Sequence, residues 1–81
     1  MLNVRIIDFD MSIIDNLISP SMDIYASVDE SSVDDNDDTA TVTVNVKTVA
    51  VTEETIVFDL PDGSIFVAQV PSNHYHKIEV I

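Results

Sequence analysis

Cysteine is absent from this 81-residue sequence, glycine occurs once, and lysine and arginine together number three. The first absence excludes disulfides and thiolate zinc sites, so a hydrophobic core, alone or with a partner chain, has to hold the fold. The lone Gly63 excludes a glycine-rich loop of the kind that cradles phosphates. Arg5, Lys47 and Lys77 stand against fifteen Asp and Glu, giving a formal charge of -12. A surface of that sign repels nucleic acid, phosphates and anionic membranes, so direct binding to any of them is not expected. No apolar run approaches membrane-spanning length. Asp8, Asp10 and Asp15 interrupt the N-terminal residues where a secretory signal would be continuously apolar. A soluble, cytoplasmic protein is the expectation.

What the chain does have is apolar residues, 46% of the total, with Val and Ile prominent. That composition belongs to a folding, strand-favouring sequence. Residues 2–8, LNVRIID, alternate as a strand with Leu2, Val4 and Ile6 on one face. Ile13, Ile14, Leu17 and Ile18 then recur at helical spacing, with Asp10 or Ser12 as N-cap and Pro20 just beyond the end. Met22, Ile24, Ala26 and Val28 return to a period of two. The run TATVTVNVKTVAV alternates through Val46 and changes phase at Lys47 and Thr48, which predicts a bulge or sharp bend there. TEET turns the chain into TIVFDL, PDGS forms a hairpin turn into SIFVAQV, and YHKIEVI supplies a closing strand. The whole reads as a single small α+β domain over residues 1–81. Its expected architecture is one short helix, about 10–19, on a mainly antiparallel, curved five- to six-stranded sheet or a small, partly closed barrel.

Three patterns invite a reading as chemistry. VRIIDFDMSIIDN resembles the first motif of the haloacid-dehalogenase-like phosphotransferases, an apolar strand ending in Asp-x-Asp-x-Ser. The resemblance implies Asp8 as nucleophile and magnesium ligand, Asp10 as acid/base and Ser12 as a phosphate contact. It covers a dozen residues. Lys47 follows Asp34 and Asp35 where the family's order is the reverse, and no parallel α/β pattern follows, so a strand entering a capped helix accounts for the same residues. Asp34, Asn36 and Asp38 are spaced like the first three ligands of an EF-hand. Thr39 and Asn45 then stand where glycine and glutamate are required. His74 and His76 share a face if extended and could meet Glu79 around a metal, but two histidines do not make a site. No motif calls for a cofactor or a metal, and no catalytic set is complete, so a non-enzymatic role is expected.

The stretch DESSVDDNDDT, residues 29–39, carries six carboxylates and no basic residue. If extended, it places alternate side chains such as Asp35 and Asp37 roughly 6.5–7 Å apart on one face, a ladder of charge that a cationic groove can accept in place of phosphates. In composition the chain resembles the acidic phage proteins that imitate DNA, some anti-CRISPR and anti-restriction proteins among them. That likeness implies an inhibitor occupying the basic, nucleic-acid-binding surface of a partner protein. The expected contacts are Asp29, Glu30, Asp34, Asp35, Asp37 and Asp38, with Tyr25 or Tyr75 as an aromatic anchor. The alternatives are a structural subunit that oligomerises through exposed strand edges and, behind it, a divalent-cation-binding domain.

Overall fold

Seven strands and one short helix make up the computed structural model, which describes residues 1–29 and 38–81. Strand β1 (Leu2–Asp10) runs through a 3-10 turn, Met11–Ile13, into α1 (Ile14–Leu17). A second 3-10 turn, Asp23–Tyr25, leads into β2 (Ala26–Asp29), and β3 (Thr39–Val46) follows the acidic stretch. Then come β4 (Thr48–Val51), β5 (Ile56–Asp59), β6 (Ile65–Ala68), a 3-10 turn at Ser72–His74 and β7 (Lys77–Val80).

The strands form two antiparallel sheets, one in the order β2-β3-β1-β7 and one in the order β4-β5-β6. This corrects the expectation of a single five- to six-stranded sheet, and no closed barrel forms among the described residues. The reason is the phase change at Lys47. β3 buries every second residue through Val46, then the chain bends at Lys47 and restarts as β4 in the other sheet. The slip of one residue lets Val49 as well as Val46 face the core from strands of different sheets.

One hydrophobic cluster receives both inner faces. Val4, Ile6, Phe9, Val42, Val44 and Val46 enter it from the four-stranded sheet, and Ile56, Phe58 and Ala68 from the three-stranded one. Phe58 and Phe66 stack across β5 and β6 with ring centroids 6.5 Å apart. Leu17 and Met22 cap the cluster from the helical connection. That connection is shorter than the periodicity suggested. Ile18 already leaves helical backbone at ψ 86°, and Pro20 biases Ser19 away from it as well. Ile24, read as an inward strand residue, is instead 77% exposed, because the 3-10 turn at Asp23–Tyr25 breaks the alternation before β2 starts.

β1 contains a feature the alternation did not reveal. Its register with β3 shifts between Ile6, opposite Val42, and Phe9, opposite Ala40. Ile7 and Asp8 share the space of one partner residue, a β-bulge, and Asp8 takes up the left-handed backbone it needs at φ 56°. Aspartate tolerates that region better than most residues do. The extra residue turns Phe9 to the same side as Val4 and Ile6, and all three are fully buried.

Candidate interaction site: the acidic end of the four-stranded sheet

Strand direction decides which carboxylates meet. β1 ends where β3 begins, with Asp10 opposite Thr39, and β2 ends beside the same stretch of β3, with Asp29 opposite Thr41. With strands about 4.8 Å apart and a rise of about 3.4 Å per residue, the backbones of Asp10 and Asp29 lie within roughly 12 Å of each other across β3. Asp8 belongs to the same end through the bulge. Asp38 does too, since its carbonyl accepts a hydrogen bond of 3.1 Å from the backbone N–H of Met11. Asp38, like Asp8, sits at φ 56°, so the two non-glycine residues with left-handed backbone among the described residues are both aspartates of this end.

Of the expected contact residues, Asp29 and Asp38 are therefore brought together, and both are exposed. Glu30, Asp34, Asp35 and Asp37 lie outside the described residues, as does most of the EF-hand-like spacing. The chain enters that segment from Asp29 and returns at Asp38. Tyr25 sits at the other end of β2, half-buried against the core, about 10 Å or more from Asp29 at the rise of a strand. Tyr75 is the aromatic residue nearer the acids. It too packs on the core, and burial pushes its phenol above the usual range. Neighbouring His76 donates its backbone N–H to Ile7 at 2.8 Å.

The phosphotransferase resemblance implies Asp8 as nucleophile and Asp10 as acid/base; in the structure Asp10 is a hydrogen-bonding hub. Its Oδ1 accepts from the backbone N–H of Ser12 at 2.9 Å and from the Ser12 hydroxyl at 2.7 Å, capping the turn that leads into α1. Its Oδ2 accepts from His74 Nδ1 at 2.9 Å. The Ser12 hydroxyl, followed by His74 and the Ser12 backbone N–H, holds the carboxyl down at about 2. Both of its oxygens are thus committed to structure. The sequence showed the cap but not the His74 bond, which joins residues 64 positions apart.

The positive charge on β1 and β7 is paired locally. Lys77 Nζ lies 2.9 Å from Glu79, which Arg5 also approaches at 3.9 Å, and Lys77 foremost lowers the Glu79 carboxyl. With His74 on Asp10 and Glu79 on Lys77, no three His, Asp or Glu side chains among the described residues are grouped to hold a metal ion. No helix among those residues is long and apolar enough to cross a membrane. Comparison with protein-family models, with curated proteins and with solved structures finds no match for this chain.

Proposed function

We propose that the protein is an inhibitor that imitates nucleic-acid charge and blocks the basic groove of a nucleic-acid-binding partner. The observation that carries this reading is the gathering of Asp8, Asp29 and Asp38 at the end of the four-stranded sheet from which the acidic stretch departs and to which it returns. Carboxylates gathered at one end present a directed field, which steers a cationic groove into register far better than the same charge spread over a surface. The groove's Lys and Arg, arranged to displace counterions from a phosphate backbone, gain comparable Coulombic attraction from this end. The partner is a protein, and the −12 chain repels the nucleic acid it displaces.

The test measures binding to a panel of basic nucleic-acid-binding proteins at rising salt, with duplex DNA as competitor. A complex is expected that weakens steeply with salt and is displaced by DNA. Replacing Asp34, Asp35, Asp37 and Asp38 together by Asn is expected to weaken it at least about tenfold, roughly 1.4 kcal/mol. The thermal unfolding midpoint should not fall, because asparagine tolerates the left-handed backbone of Asp38 and the change relieves self-repulsion. Undiminished affinity in the quadruple variant would sink the proposal.

A further inference from the structure

Gly63 is the only glycine in the chain, so Asp62 is the one aspartate followed by a residue with no Cβ. That dipeptide is chemically distinctive. A backbone nitrogen can attack the side-chain carboxyl of the aspartate before it, and a Cβ on the attacking residue is what ordinarily crowds the five-membered ring that closes. The ring has room here, because a Cβ built on Gly63 would meet nothing within 4 Å, and Asp62, Gly63 and Ser64 are all exposed. The turn nonetheless engages both reacting groups. Asp62 Oδ1 accepts from the Ser64 N–H at 2.9 Å and from the Ser64 hydroxyl at 2.6 Å, while the Gly63 N–H donates to the Leu60 carbonyl at 3.0 Å. The Ser64 hydroxyl, followed by its N–H, also holds the Asp62 carboxyl below its ordinary range, so the group stays ionised and its oxygen leaves poorly.

We infer that Asp62–Gly63 is a site of spontaneous covalent modification, succinimide closure followed by hydrolysis to isoaspartate, which Ser64 keeps latent while the hairpin of β5 and β6 is folded. In the closing step the Gly63 nitrogen bonds to Asp62 Cγ and gives up its proton, and one carboxyl oxygen departs as water. Water then adds back at either carbonyl of the ring. Cleaving the bond from nitrogen to Cγ restores aspartate. Cleaving the bond from nitrogen to the Asp62 carbonyl carbon routes the main chain through Cβ and Cγ and leaves the former carbonyl as a free carboxylate. Water is the only co-reactant, and nothing is oxidised or reduced. The extra backbone atom falls inside the turn that sets Leu60 against Ser64 and, beyond them, Phe58 against Phe66. Register in a hairpin follows the length of its loop, so the modified chain cannot keep the inward set of β6, with its buried Ala68. The site thus records time spent unfolded, because each opening of the hairpin exposes it and refolding does not reverse the change.

Tryptic cleavage after Lys47 and Lys77 places Asp62 in the peptide 48–77. The full chain is incubated at neutral pH, in buffer and in urea that unfolds it, and this peptide is followed by liquid chromatography with mass spectrometry. Isoaspartate emerges as a second peak of equal mass, which electron-transfer fragmentation assigns to Asp62 rather than Asp59. Conversion is expected to run at least about tenfold faster in urea, since the folded turn must first release its hydrogen bonds. Ser64→Ala, which loses the hydroxyl donor, should speed the reaction in buffer about fivefold and leave the rate in urea unchanged. Ser64→Thr keeps both donors and should stay as slow as the parent, with circular dichroism showing both variants folded in buffer. Equal rates in buffer and urea, no isoaspartate in urea, or a folded Ser64→Ala chain that converts no faster than the parent overturns the inference.

Discussion

At the scale of single residues, Asp10 couples three parts of the chain through one carboxylate. It caps the turn into α1 and holds the Ser72–His74 turn against the end of β1. Because the folded state lowers this carboxyl from 3.8 to about 2, the associated stability is complete above the ordinary value and is lost as pH falls through about 2. Glu79 and Asp62 are lowered too, by Lys77 and Ser64 respectively, and act in the same sense. Asp10→Asn is therefore expected to flatten the acid side of the stability profile. Thermal midpoints followed by circular dichroism from about pH 5 to about pH 2 should fall less in the variant than in the parent. Equal slopes would show that the three hydrogen bonds are not held in solution. The cap itself partly survives, since asparagine is as good an N-cap as aspartate, so the comparison isolates the charge.

At the scale of elements, the hairpin between β5 and β6 offers the cleanest test of local geometry. Leu60 and Ser64 close the turn with a 2.8 Å hydrogen bond, the Asp62 carboxylate accepts from the Ser64 N–H and hydroxyl, and Gly63 stands at φ 91°. A Cβ on Gly63 would meet nothing within 4 Å, so Gly63→Ala isolates the cost of left-handed backbone. That cost is about 1–2 kcal/mol, read as an earlier urea midpoint with unchanged slope, and Gly63→Asn should lose less. An unmoved midpoint would contradict the turn.

This hairpin was legible from PDGS because turn chemistry is local. So was the Lys47 break, from a phase change within one apolar run. TEET was legible in the same way, and Thr52 Oγ1 accepts there from the N–H groups of Glu54 and Thr55. The bulge at Ile7 and Asp8 was not legible, since IIDF fits several registers until β3 supplies a partner. The outward turn of Ile24 was hidden for a related reason: a three-residue 3-10 turn is too short to leave a period. At the candidate site, the acidic composition was plain in the sequence. Which acids share an end depended on strand order, which no local pattern reveals.

At the scale of the whole molecule, fifteen acids against three bases make self-repulsion a general burden on the compact state. Raising NaCl from about 10 mM to about 0.5 M shortens the Debye length from about 30 Å to a few ångströms. The thermal midpoint, measured at low protein concentration, is expected to rise by several degrees, and a midpoint that falls would mean that attractive pairs such as Lys77 with Glu79 outweigh the repulsion. The topology adds a matter of timing. β4, β5 and β6 pair in sequence order across short turns, whereas β1 gains β7 only when Val4 meets Val80. During synthesis β1 can take β3 as a partner once Val46 has emerged, while its other edge waits until Lys77–Val80 follow the meander. The interval between those two events is when β1 is open to pairing with a neighbouring nascent chain.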